Sequence, residues 1–351
     1  MEASERMMYR SLGAFLSLAM GAVCALAQAT PHETLLVLSK QAQTLAIVDP
    51  ATLVVVARVP VGADPHEVVA SSDGQRAYVS NYGFGRYNTL AVIDLSAQKA
   101  LPAVDLGALR GPHGLSFADG RVWFTAEAAK AIGSYDPKSG TVDTIIGTGQ
   151  NRTHMVYVFP GTKRILTTNV NSGTVTVMDW QMVSGGPPPG AMPPGAVPPA
   201  PGDWIETVIR VGSRDEGFDV SPDGREMWVG NAGDGTLSVI NLETKSVTAT
   251  LTANVDGVNR VKFSPDGKLV LVSLLRGTDL VVLDAATRAV VKRISLGGGS
   301  EGIQMDPHGG RAFVAVSEKN YVAVIDLKTL ELMGRLDVGG NPDGMAWAVQ
   351  R

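Results

Sequence analysis

The 351-residue chain carries 30 Lys/Arg against 34 Asp/Glu and has no dense basic run, so nucleic-acid binding has no electrostatic footprint in it. Glycine is abundant (40 residues), good helix stretches are few and Val/Ile/Thr runs are many, which points to an all-β fold. The single cysteine, Cys24, lies near the N-terminus, so the chain beyond it can have no disulfide, thiolate metal site or cysteine nucleophile.

In chain order, the first feature is a secretory signal. Arg6 and Arg10 precede an apolar run from Leu12 to Leu26, and Ala27-Gln28-Ala29 is a small-x-small cleavage site. The run is too short and too rich in Gly and Ala for a membrane helix, and no later stretch is as apolar. The expectation is a signal peptide over 1–29 and one domain over 30–351. It should be periplasmic or secreted from a bacterium, without a membrane span after cleavage, and monomeric.

From Leu35 onward the chain repeats itself at about 42 residues, the period of four-stranded propeller blades. An Asp or Asn closes a short apolar strand at Asp49, Asp94, Asp136, Asp179, Asn241, Asp284 and Asp326. A second strand precedes it, as in Ala77-Tyr78-Val79-Ser80-Asn81 and Met227-Trp228-Val229-Gly230-Asn231. Turns such as Ser221-Pro222-Asp223-Gly224 join it to the strand before: Pro presets the turn and Gly supplies the positive φ. The spacing predicts seven blades with strands A to D. The chain starts at a strand B and stops at a strand A, so the C-terminal strand A should pair with the N-terminal strands B-C-D and close the ring. A Pro/Gly-rich insert, 184–203, interrupts one blade between strands C and D and reads as an extended loop.

These strand-B and strand-C signatures resemble the YVTN-type β-propeller repeat family of exported bacterial and archaeal proteins, over residues 33–349. The resemblance implies a seven-bladed propeller. It leaves function open, because similar propellers serve as binding and surface-layer proteins, lactonases, lyases and quinoprotein subunits.

Strand A of a propeller blade lines the central channel. Aligning the repeats places seven polar residues at its start: His66, His113, His154, Glu216, Asn259, Glu301 and Asp343. The next position is mostly glycine (Gly114, Gly217, Gly302, Gly344), which lets the strand starts crowd toward the axis. Imidazole with carboxylate suits a divalent metal such as Zn²⁺, Mn²⁺, Fe²⁺, Cu²⁺ or Ni²⁺, and the oxygen-rich side suits Ca²⁺ or Mg²⁺. His66, His113 and His154 on consecutive blades, with Glu216, are the group that could converge. They are the candidates for metal ligation and, with or without metal, for catalysis. The same groups could equally hydrate the channel or cap strands.

Candidate ligand-binding residues surround the ring. The B–C loops offer Asn81, Tyr82, Glu127, Asn169, Asn231, Arg276 and Glu318; Arg152, Arg214 and Arg260 sit beside the ring; Asn259, Glu301 and Asp343 complete it. Tyr82-Gly83-Phe84-Gly85-Arg86-Tyr87 could form an aromatic wall over the rim. No motif fixes a cofactor, and no nucleophile elbow, zincin helix or P-loop occurs. The expected function is an exported binding protein presenting a His/carboxylate ring to a small molecule, metal or protein partner. The alternatives are a metal-dependent lactonase- or lyase-like enzyme, and an accessory subunit of a periplasmic quinoprotein or electron-transfer system.

Overall fold

The seven-fold mark has a local cause. Each strand-C Asp or Asn turns back to cap the C–D hairpin, as where Asp49 accepts the Ala51 N–H at 2.9 Å and the Thr52 hydroxyl at 2.8 Å. Asp94, Asp136, Asn241, Asp284 and Asp326 do the same. Asp179 is the exception. The insert leaves it no tight turn to cap, and it pairs instead with Arg164 (2.6 Å) and Lys245 (2.7 Å).

A computed structural model describes residues 28–161, 163–182, 195 and 202–351. It is all-β: seven four-stranded antiparallel sheets in a ring. The expected signal peptide lies outside the described residues except for its last two positions, and so does most of the insert. The end of that insert is corrected. The C–D hairpin of its blade runs on to a Met182–Gly202 pair, so Gly202 and Asp203 are strand.

Closure follows the expected route. Pro342–Val349 is the inner strand of a sheet otherwise made of Glu33–Ser39, Thr44–Asp49 and Val54–Pro60. The other inner strands are Pro65–Ala70, Pro112–Ala118, Thr153–Val158, Asp215–Val220, Val258–Phe263 and Ile303–Met305. Second and third strands are buried on both faces, because each blade is packed between two others; hence their near-continuous apolar runs. Leu36, Leu45 and Ile47 of one blade, for example, pack on Val68, Val79 and Ile93 of the next. Among the described residues no helix is long and apolar enough to cross a membrane.

Candidate functional site

The start of each inner strand is irregular in a repeated way. In six blades the pairing of strands A and B slips at the ring residue, as between Pro65–Asn81 and Val68–Val79. Two residues, His66 and Glu67, then oppose one, Ser80. Such a bulge re-aims side chains and ends regular pairing. The glycines that follow the ring residue work as expected. A Cβ on Gly114 would stand 2.5 Å from the His154 carbonyl, and one on Gly344 2.3 Å from the His66 carbonyl.

Hydroxyls on strand B tie one blade to the next at this level. Thr125 accepts the Gly114 N–H (2.9 Å) and donates to the His154 carbonyl (2.7 Å). Ser80, Thr168 and Ser273 hold the carbonyls of His113, Glu216 and Glu301 in the same way. The ring's backbone is therefore fixed before its side chains meet.

The three histidines do converge. His66 and His113 have ring centroids 4.8 Å apart, and His113 and His154 3.9 Å. Tyr82 stacks on His66 at 4.8 Å, and Phe84, 81% exposed, covers the pair. His154 is held between two carboxylates, with Nδ1 2.5 Å from Glu127 and Nε2 3.0 Å from Glu216. Glu127 also accepts the Tyr82 hydroxyl (2.5 Å) and Arg152 Nε (3.3 Å).

Charge follows from these contacts. Burial disfavours an imidazolium at His154, but the hydrogen bonds and charges of Glu127 and Glu216 outweigh it and raise its pKa. Burial likewise opposes ionisation of Glu216, yet the His154 bond and charge, with Arg152, hold it down at about 2. Glu127 is held low by the same partners. His66 and His113 have no such help. Burial pushes His66 down to about 3, and burial with the neighbouring imidazoles pushes His113 well below the usual range. The column thus sets one imidazole whose protonated form is favoured, His154, beside two whose neutral form is favoured. Nδ1 of His66 and of His113 is buried without a hydrogen-bond partner.

The other half of the ring meets the column at His66. Asp343 binds Lys40 Nζ at 2.7 Å and lies 3.4 Å from His66 Nδ1, while Glu301 is 3.6 Å from Lys40. Burial raises Glu301 to about 7, with the Asp343 charge adding to the rise; burial also opposes ionisation of Asp343, but Lys40 overcomes it. At the level after the ring, Glu67 and Arg260 reach from blades on opposite sides and form an ion pair across the axis. Below it the channel holds a cavity of about 560 Å³.

Several expected ligand-binding residues are occupied elsewhere. Asn81 spends its amide on the Val61 and Ala63 carbonyls, Asn169 on Thr174 and Thr176, and Asn231 on Thr236 and Ser238. Asn169 and Asn231 turn into their own hairpins, and Asn81 into the loop that connects the preceding blade to its own. Asn259 accepts from Arg260, and Arg276 binds Asp256 and the Ala232 carbonyl, away from the histidines. Glu318 is exposed and caps the Gly299 N–H, and Arg214 is exposed. The structure adds Lys40 and Glu67. Lys40 stands just after strand B, where the next two blades carry Tyr82 and Glu127, and this register is the signal that would have found it.

Beside the column opens a rim pocket of about 500 Å³, lined by Phe84, Glu127, Lys130, Asn151, Arg152 and Asn171 among others. Three of these could bear on a ligand: an apolar wall (Phe84) and two cations (Lys130, Arg152). His113, Glu127 and His154 each bring a ligand-type atom within 4.8 Å of the others.

No protein-family model matches the chain, and no curated protein matches it. Solved structures do. A protein of unknown function from Desulfotomaculum acetoxidans is 13% identical with a TM-score of 0.72, covering 91% of this chain and 99% of its own. A putative 6-phosphogluconolactonase from Bacteroides uniformis is 16% identical with a TM-score of 0.69, covering 91% and 100%. The dihydro-heme d1 dehydrogenase NirN is 17% identical with a TM-score of 0.62, covering 89% of this chain and 65% of its own. At these identities the likeness is one of fold, the seven-bladed propeller, whose members in this set differ in function.

Proposed function

We propose that this chain is an exported, monomeric propeller of the YVTN type that binds a small organic ligand in the rim pocket at the channel mouth. The observation that carries the reading is the buried Glu127–His154–Glu216 arrangement behind that pocket. A buried imidazole clamped between two carboxylates costs stability unless every partner is satisfied. Here it borders a cavity with an exposed aromatic wall and two cations. The pocket suits a ligand with an oxygen-bearing, anionic end for Arg152 and Lys130 and an apolar or ring-shaped part for Phe84.

Thermal-shift measurements on the mature chain, against sugar acids, lactones and short peptides, test this reading. A ligand-induced rise in Tm that Phe84→Ala and Arg152→Met both abolish is the expected result. Silence across the panel, or a shift that survives both substitutions, would sink it. Export is tested separately by fractionation with Ala27 and Ala29 replaced by Leu, which should block processing.

A second reading is favoured by one feature. Tyr82, Glu127, His154 and Glu216 form a continuous hydrogen-bonded chain, a route along which a proton can move as lactone hydrolysis or lyase chemistry requires. Turnover of a panel lactone by the wild type, lost in His154→Gln with an unchanged melting curve, would select this reading over simple binding.

A further inference from the structure

The corner formed by His113, Glu127 and His154 comes from three elements. Two residues are ring residues on adjacent inner strands, and Glu127 follows the second strand of the His113 blade. All three are buried, at 4%, 8% and 2% exposure. Two imidazole nitrogens and a carboxylate oxygen lie within 4.8 Å of one another. One member is unsatisfied: His113 Nδ1 is buried without a partner, beside the His154 ring. A buried polar atom left unpaired costs about 1–3 kcal/mol. His113 thus keeps a costly lone group in the buried column.

We propose that His113, Glu127 and His154 are the protein ligands of a divalent first-row transition ion buried beside the rim pocket, which Glu127 lines. The proposal rests on the ligand-binding reading of this site and sharpens it: the ion would present open coordination positions to the oxygen-bearing end of the ligand. Two imidazoles and one carboxylate are a donor set for Zn²⁺ and its neighbours, with positions left free. They are a poor set for Ca²⁺ or Mg²⁺, which take oxygen.

The charges also suit a dication. Glu127 and Glu216 flank His154; once His154 has released the proton at its ligating nitrogen, neutral imidazoles with two carboxylates would balance an M²⁺ ion. Arg152, 3.3 Å from Glu127, is the one opposing charge in contact. The geometry needs one adjustment. Ligand atoms around Zn²⁺ at about 2.0–2.1 Å stand roughly 3.3 Å apart, whereas His154 Nδ1 and Glu127 Oε1 are now 2.5 Å apart. That pair must open by a small rotation of Glu127. Glu216, left on the far side of His154, would then hold the ligand imidazole as an outer carboxylate, a common support for metal-bound histidine.

The test uses mature protein freed of metal by chelator and dialysis, with Zn²⁺ alone as the probe. Isothermal titration is expected to show one Zn²⁺ per chain. Affinity should fall at least tenfold in His113→Ala and in Glu127→Gln, and stay unchanged in His308→Ala, which alters an exposed histidine elsewhere. Should the ring variants fail to fold, Co²⁺ titration of the wild type decides. Intense visible bands mark a low-coordinate nitrogen/oxygen site, and the proposal requires them. Absence of stoichiometric Zn²⁺ uptake, only the pale spectrum of hydrated Co²⁺, or binding indifferent to His113 and Glu127 would overturn it. Because no organic ligand is present, a negative panel with tight Zn²⁺ binding refutes the pocket reading alone. A positive panel without Zn²⁺ uptake refutes the metal alone.

Discussion

Replacing Arg260 with Ala removes the guanidinium that faces Glu67 across the channel. Both side chains are about one-tenth exposed, 9% and 12%, so the Glu67 carboxylate is left almost dry. Removing one partner of a buried pair costs about 3–5 kcal/mol. Unfolding entropy of about 2.1 cal/mol/K per residue gives roughly 0.7 kcal/mol/K for a chain of this length, so Tm should fall by about 4–7 °C. The loss has a pH signature. Burial already raises Glu67 above its usual range despite Arg260. Without the guanidinium it rises further, and a carboxyl raised in the folded state loses its contribution as pH climbs past its unfolded value near 4.5. Asp343, Glu301 and Glu216 also lose a cation, and their shifts act in the same direction. The deficit should therefore be larger at pH 8 than at pH 5. The double variant Glu67→Gln/Arg260→Met should recover most of it. Calorimetric melts at the two pH values decide the matter. An unchanged Tm, an equal deficit at both pH values, or a double variant no better than the single one would refute the reasoning.

Three further outcomes are expected. Thr125→Val should cost about 2–3 kcal/mol in urea unfolding, because it strands the Gly114 N–H and the His154 carbonyl, while Thr125→Ser should be close to wild type. Asp215 is fully buried, and burial raises it to about 7, so its penalty grows as pH rises from about 4 to about 7. Asp215→Asn should accordingly gain on the order of 2 kcal/mol at pH 8 and little at pH 4, read from denaturation midpoints. Truncation after Asn341 removes the closing inner strand and the buried side chains of Met345, Ala346 and Ala348; a cooperative melt in that fragment would contradict ring closure as a condition of folding.

The fold was legible because it is local information repeated. Asp49 and its counterparts and turns such as Ser221-Pro222-Asp223-Gly224 each act within a few residues, and their recurrence along the chain made the register plain. Alignment alone also brought His66, His113 and His154 to one level of the channel. It could not assign their partners. Glu127 was visible only as one of several loop candidates, Lys40 only through its register with Tyr82 and Glu127, and Glu67 stood out in no pattern. Asn81, Asn169 and Asn231 spend their amides on loops and hairpins, and a strand-end amide carries no mark in the sequence of which partner it will take.

The sequence by itself therefore determined the architecture, the closure of the ring and the level at which the blades diverge, since periodic patterning and turn chemistry are properties of neighbours along the chain. Only the tertiary structure decided which imidazole is favoured in its protonated form and which carboxylates hold it. Those outcomes depend on burial and on approaches of a few ångströms between residues tens to hundreds of positions apart. No repeat encodes such distances; the curvature of the closed ring sets them.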